Sequence, residues 1–263
     1  MGHDVRGVAG RHLPGVAADD VRRLGAGLDN AAYLVGGEWV VRFAADPGAL
    51  DVEREARLLR AVGEVLRGIV AVPEPVFAAE GAMGYRVLPG VPLLEMLDRE
   101  PFAAVGTVVE ALRALHAEPV ERFAGLVHTD ADGPGGWLEE ARELAAAVEL
   151  PEAAWFLEAA PPAPADRLVV SHNDLGAEHV LVDPATGAVT GLIDWSDAAV
   201  CDPAYDYGLL LRDLGPDAPP IPAELAERAW FYARCGLIED LAYGRPAYVA
   251  KSRRQAAFLF GAA

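Results

Sequence analysis

The sequence predicts an α+β chain in two unequal lobes: a small antiparallel β-sheet lobe with one main helix, then a larger, mostly helical lobe. Three observations predict this. Strand-type runs around a Gly36-Gly37 hairpin signal crowd the first third of the chain. After Pro89-Gly90 the apolar residues fall at helical spacing. Within that helical half, two short strands separate His172-Asn173-Asp174 from Ile193-Asp194-Trp195, with Asp194 20 residues after Asp174.

Taken in order, residues 32–35 and 38–43 read as strands flanking the double glycine, and Gly25-Ala26-Gly27-Leu28-Asp29-Asn30 reads as a flexible loop leading into them. Over 50–66, Val52, Ala56, Leu59, Val62 and Leu66 repeat at helical spacing, and Pro73 and Pro75 end the region. Strands at 76–79 and 84–88 complete the small sheet. Pro89-Gly90 marks the boundary, giving an N-terminal lobe over 1–90 and a C-terminal lobe over 91–263. Phe102, Val105, Val108, Val109, Leu112 and Leu115 mark a long helix, and helical pattern continues over 137–150 and 151–159. A Pro/Ala linker at 160–166 precedes the strand 168–170, which delivers the His-Asn-Asp loop. Strands 180–182 and 189–193 are joined by the turn Pro184-Ala185-Thr186-Gly187, and helices are expected over 204–214, 222–238 and 246–260. There is no internal repeat.

The formal net charge is −18, which argues against a nucleic-acid partner, because phosphate backbones need compensating Lys and Arg. It suits a cationic small molecule, or solubility alone. Cys201 and Cys235 are too few for a disulfide scaffold and sit in apolar surroundings, so buried free thiols in a reducing cytoplasm are expected. The N-terminal text lacks the apolar run of a signal peptide, and no stretch approaches the roughly 20 apolar residues of a membrane span. A cytoplasmic protein without membrane partners, monomeric by default, is expected. Lys251 is the only lysine beside 21 arginines, and it has no glycine neighbours, which excludes a Walker A phosphate loop.

Phosphoryl transfer needs an aligned hydroxyl, neutralised phosphate charge and magnesium rather than covalent help. Asp174, in a loop after an apolar strand, can accept the proton of an attacking hydroxyl. Asp194, after a second apolar strand and anchored by Trp195, offers the hard oxygen that magnesium takes. An isolated Asp is ordinarily a turn or cap residue; the pair at this spacing and in this strand context points to an active site.

The motifs HNDLGAEH, LIDW and Cys201-Asp202-Pro203, together with GLDNAAYLVGGEWVVRF and YRVLPG, resemble the aminoglycoside and macrolide phosphotransferases, antibiotic kinases with the protein-kinase-like fold. The resemblance covers nearly the whole chain and looks closest to the 2″-type aminoglycoside and the macrolide kinases. It implies a bilobal protein-kinase-like fold, Asp174 as catalytic base, Asp194 as principal magnesium ligand, and Gly25, Gly27 and Asn30 on the loop over the phosphates of ATP or GTP. It places Arg42 where kinases carry a phosphate-touching lysine, Glu55 as its ion-pair partner with Glu53 as a rival, and Val87 and Leu88 at the purine. His179 stands where the family's Asn binds a second magnesium, and is expected to bind metal or to hydrogen-bond the catalytic loop. His172 is expected to orient that loop, Asp202 and Asp206 to cap and brace it, and Trp230, Phe231 and Tyr232 to be core.

For a polycationic acceptor, Asp197, Glu224, Glu227, Glu239 and Asp240 are the candidate carboxylates facing Asp174. Three readings follow: an antibiotic kinase, acting on an aminoglycoside or else on a macrolide or cyclic-peptide antibiotic; a metabolic kinase for choline, homoserine or a sugar; and a non-catalytic nucleotide-binding protein, against which the two aspartates count.

Overall fold

The computed structural model describes residues 3–13, 15–16, 20–26, 30–44, 51–97, 104–130 and 132–261. The chain opens with α1 (Val5–His12), β1 (Val21–Ala26), β2 (Asn30–Val35), β3 (Trp39–Ala44), α2 (Val52–Val65), β4 (Pro75–Ala79) and β5 (Ala82–Arg86). The five strands form one antiparallel sheet in the order β1-β2-β3-β5-β4.

Strand β3 is buried on both faces, and its two-residue period sorts the lobe. Trp39, Val41 and Phe43 pack with Val5, Val8, Ala9 and Leu13 of the α1 side. Val40 packs on the other face with Leu59 and Val62 of α2 and with Met83 and Tyr85. Arg42 shares that second face, so alternation alone aims it at α2 and the cleft. Asp51 caps α2 by accepting from the Arg54 N–H at 2.9 Å, a contact of about 1 kcal/mol.

Two features of this lobe differ from the expectation. Helix α1 was not anticipated, although Asp4 caps it through the Gly7 N–H and Val5, Val8 and Ala9 share its buried face. Of the loop expected over 25–30, the described residues are ladder: Gly25 pairs with Ala32, Ala26 with Ala31 and Asn30 with Ala44, after an irregularity between Arg23 and Gly25. The apolar and β-branched partner strand extends the ladder into the glycine-rich text.

The remainder comprises β6 (Val91–Pro92), α3 (Ala104–Ala117), β7 (His128–Thr129), α4 (Gly133–Ala145), α5 (Ala154–Glu158), β8 (Val169–Ser171), β9 (Val180–Val182), β10 (Val189–Leu192), β11 (Ala199–Cys201), α6 (Tyr205–Leu214), α7 (Ala226–Tyr243) and α8 (Pro246–Phe260). Two three-stranded sheets, β10-β9-β6 and β7-β11-β8, carry the functional loops. Helix α4 begins earlier than its apolar period suggests, because Pro134 is compatible with a first helical turn. Helix α7 starts at Ala226 and runs on to Tyr243, where Gly244 ends it with a φ of 74°.

Helices α6 and α7 pack closely. A Cβ added at Gly208 would lie 2.8 Å from Tyr232 Cβ and 2.9 Å from the Ala229 carbonyl, so only glycine permits the approach. Phe231 and Tyr232 are buried in this core. Cys201 and Cys235 are buried free thiols. Among the described residues no helix is long and apolar enough to cross a membrane.

Candidate active site

The loop after β8 and the turn after β10 meet at one end of a cleft of about 480 Å³. Both carry left-handed backbone at non-glycine residues, Asn173 at φ 63° and Asp194 at φ 62°. Asn and Asp are the side chains that tolerate this region best, and such strain persists where surrounding structure over-determines it. Here Asp206, in the first turn of α6, does the determining. Its Oδ2 accepts from the Ser171 hydroxyl at 2.5 Å, the His172 N–H at 2.9 Å and the Asn173 N–H at 3.3 Å. His172 is wholly buried, donates from Nε2 to the Ile193 carbonyl at 2.9 Å, and lies 4.4 Å from the Trp195 ring. Burial, helped by neighbouring His179, pushes its pKa down to about 3, so the ring is neutral and links loop to turn. Asp202 accepts from the Ala204 N–H ahead of α6 and pairs with Arg228 at 2.7 Å.

Between the two aspartates stands His179. Its Nδ1 lies 2.6 Å from the Asp174 carbonyl and 3.4 Å from Asp174 Oδ2, while Nε2 lies 3.8 Å from Asp194 Oδ2. Nδ1 donates to that carbonyl; in the neutral ring Nε2 is then a bare nitrogen facing Asp194, whereas in the protonated ring, which the surrounding carboxylates favour, Nε2 points a proton at it. Burial disfavours the charged ring, but the carboxylates of Asp174, Glu178 and Asp194 outweigh it and raise the His179 pKa. Burial also pushes Asp174 above the usual carboxylate range, with Glu178 and Asp197 adding to the effect and His179 opposing it. The Asp174 side chain nonetheless opens to the cleft, 41% exposed.

Arg42 connects the small lobe to this pair. Nη1 meets Glu55 Oε1 at 2.6 Å and Nη2 meets Asp194 Oδ1 at 3.0 Å. Burial works against the guanidinium's charge, but the two carboxylates prevail and hold it protonated. Glu55 lies on the buried face of α2, whereas Glu53 is exposed. Asp194, despite its burial, is held below its ordinary pKa by Arg42 and His179. It also accepts from the Ser196 hydroxyl at 3.2 Å.

Among the described residues no group of three or more His, Cys, Asp or Glu side chains is placed to hold a metal ion by itself. Asp194 offers a hard carboxylate oxygen of the kind that suits magnesium, whereas His179 offers a nitrogen, and only in its neutral form.

Where the small sheet ends, the Val87 N–H donates to the Glu38 carbonyl at 2.9 Å. The Val87 side chain is exposed. Gly25 lies in β1 and Asn30 opens β2, while Gly27 falls outside the described residues.

Asp197, Glu239 and Asp240 line the cleft, but Glu224 and Glu227 do not. The latter two are exposed around the start of α7, roughly 20 Å along the axis from its cleft end at 1.5 Å per residue. Asp240 is itself engaged, 3.3 Å from Arg212 Nε, 3.2 Å from Lys251 Nζ and 3.1 Å from the Ser252 hydroxyl. Sequence reasoning missed the cleft's aromatic wall of Trp137, Tyr205, Tyr243 and Tyr248. No local pattern marks it, although Tyr205 stands inside the Asp-Pro-Ala-Tyr-Asp motif. A larger cavity of about 660 Å³ lies between α2 and residues 66–75 and shares no lining residue with the cleft, so chemistry rather than size singles out the cleft.

Comparison with known proteins bears on the fold and the family. A curated aminoglycoside 3'-phosphotransferase of Streptomyces fradiae is 35% identical over 143 residues, covering 51% of this chain and 53% of that one. The chain thus spans about half the length of this curated relative. The fold is shared with an APH(2") enzyme solved with GDP and kanamycin, at TM-score 0.68 and 22% identity over 94% of this chain and 95% of that one. It is shared equally with a macrolide 2'-phosphotransferase type I, at TM-score 0.64 and 23% identity over 98% of this chain and 96% of that one. Both likenesses are of fold, that of the kinase-like phosphotransferases. Residues 20–246 match the Phosphotransferase enzyme family, and with that much of its length accounted for, the chain belongs to it.

Proposed function

We propose that the protein is a magnesium- and ATP- or GTP-dependent O-phosphotransferase whose acceptor is a hydroxyl of an aminoglycoside antibiotic. The observation that carries this is Asp174 at the edge of the 480 Å³ cleft, bridged through His179 to Asp194 and through Asp194 to the Arg42–Glu55 pair. The donor nucleotide lies against the small lobe, between the adjoining ends of β1 and β2 and the Val87–Leu88 backbone, and residues 1–90 serve it while residues 91–263 bind the acceptor. Asp174 orients the acceptor hydroxyl and takes its proton as the new bond to phosphorus forms. Asp194 and His179 hold magnesium, which when bound neutralises charge on the phosphates. Arg42, fixed by Glu55, adds a guanidinium beside Asp194, with the same charge as lysine in a bulkier fork. Exposed Glu239 and Asp197 face the acceptor and suit its ammonium groups.

The aromatic wall of Trp137, Tyr205, Tyr243 and Tyr248 supports a second reading, a macrolide acceptor, which would stack on those rings. Both readings imply a cytoplasmic resistance enzyme.

The test is nucleotide consumption by purified protein with magnesium, ATP or GTP, and a panel of aminoglycosides, macrolides, peptide antibiotics and simple alcohols. Stimulation by aminoglycosides that disappears in Asp174→Asn is expected. Stimulation by macrolides alone selects the second reading, and stimulation by choline, homoserine or a sugar alone overturns both.

A further inference from the structure

Beneath the cleft lies a buried charge cluster that the chemistry above does not use. Arg212 and Asp213 of α6, Asp240 of α7 and Lys251 of α8 are all buried. Lys251 Nζ sits 2.8 Å from Asp213 Oδ1, 3.2 Å from Asp240 Oδ2 and 3.7 Å from Glu178 Oε2. It also lies 4.9 Å from the centre of the Tyr248 ring. Three of these partners, Glu178, Asp240 and Tyr248, line the cleft.

The fourth partner grips the catalytic loop. Asp213 Oδ2 accepts the Ala177 N–H at 2.7 Å, three residues beyond Asp174 and two before His179. Asp206 holds the other side of Asp174 through the His172 and Asn173 N–H groups. Asp206 and Asp213 are seven residues apart on α6, a spacing of two turns that puts both carboxylates on one helix face. One helix face therefore clamps the loop on either side of the catalytic carboxylate. The Asp206 end is held by the loop's own donors, whereas the Asp213 end depends on Arg212 at 2.6 Å and on Lys251.

We propose that Lys251 is a positioning residue for phosphoryl transfer: its buried ammonium orients Asp213 and Glu178, and through them sets where the loop carries Asp174 and His179. The proposal rests on the kinase reading of the site. Composition supports a specific need for lysine, since this is the one lysine in a chain that otherwise uses arginine 21 times. Chemistry supplies the reason. Three carboxylates converge on a single point, which suits a compact ammonium, while the planar guanidinium fork of Arg212 already occupies the flank. In keeping with this, Asp213 is held below the ordinary carboxylate range, because Arg212 and Lys251 overcome the effect of its burial.

The experiment compares Lys251→Met and Lys251→Arg with the wild type in two ways: steady-state kinetics per folded molecule, and hydrogen exchange resolved at the Ala177 amide. Lys251→Met is expected to lower kcat by about ten- to a hundredfold while the nucleotide KM moves less than about twofold, the signature of misplacement rather than lost binding. Ala177 is expected to exchange about tenfold faster as its acceptor loosens. Lys251→Arg keeps the charge among the three carboxylates, and carries the test where Lys251→Met does not fold; it too is expected to be slow in kcat with its nucleotide KM preserved. Wild-type kcat in either folded variant, or unchanged exchange at Ala177 in both, overturns the proposal. The exchange measurement needs no substrate, so a wild type inactive on every acceptor would overturn the kinase reading while leaving the tether separately decided.

Discussion

Asp174 and Asp194 differ from Asp206 and Asp213 in everything but residue type. The first two open to the cleft with side chains 41% and 39% exposed. The second two are buried on α6, with Asp206 accepting from three donors and Asp213 contacting Arg212, Lys251 and the Ala177 N–H. A buried carboxylate gripped by several fixed donors is locked and holds backbone in place; one facing a cleft is open to a proton or a cation. Donor count and solvent access therefore separate the two aspartates proposed to do the chemistry from the two that support them.

Removing one of each kind should break the molecule in opposite ways. Asp174→Asn is expected to lower kcat by about 10²- to 10⁴-fold, the range for loss of a general base. Its melting temperature should stay close to wild type, because the side chain supports little else. Asp206→Ala should instead cost about 3 kcal/mol or more of stability, since three buried donors lose their acceptor. Denaturant unfolding of the two variants checks the contrast, and a large stability loss in Asp174→Asn would erase it.

A sharper version concerns the buried pair at the lobe interface. Glu55→Gln keeps a hydrogen bond to Arg42 but removes the charge, and should lower kcat/KM for nucleotide about tenfold with a smaller effect on acceptor KM. His179→Asn replaces the bare nitrogen facing Asp194 with an amide oxygen, a better magnesium ligand. The concentration of magnesium giving half-maximal rate should fall, and an unchanged value removes His179 from the metal site. The smallest effects concern the acceptor carboxylates. Glu239→Gln should raise KM for a polycationic acceptor about fivefold, equivalent to about 1 kcal/mol, whereas Glu224→Gln and Glu227→Gln should leave it unchanged.

What the sequence disclosed follows from what is local. Asp174 and Asp194 each end an apolar strand inside a short motif, so their approach could be read from text alone. Arg42 and Glu55 could be read through the resemblance to the antibiotic kinases, and the structure pairs them, with Glu55 rather than Glu53 on the buried face of α2. Helix α1 escaped notice because its apolar face is only Val5, Val8 and Ala9, and β1 because its glycine-rich end reads as loop until β2 is there to pair with it. Glu224 and Glu227 could not be told from Glu239 without the course of α7, which carries its two ends to different places. The aromatic wall and Lys251 are assembled from α4, α6, α7, α8 and the loops, contacts between distant parts of the chain that no window of sequence contains. In the sequence Lys251 is a compositional oddity, and only packing shows it against three carboxylates.

The central claim is that the Asp174 edge of the cleft transfers phosphate to an aminoglycoside hydroxyl. The most direct measurement is the mass spectrum of each aminoglycoside in a panel after incubation with protein, magnesium and nucleotide, with Asp174→Asn alongside. The account predicts a singly phosphorylated antibiotic with wild type and unmodified antibiotic with the variant. Phosphorylated product formed equally well by Asp174→Asn, or no phosphorylated aminoglycoside with wild-type protein that binds nucleotide, would contradict it.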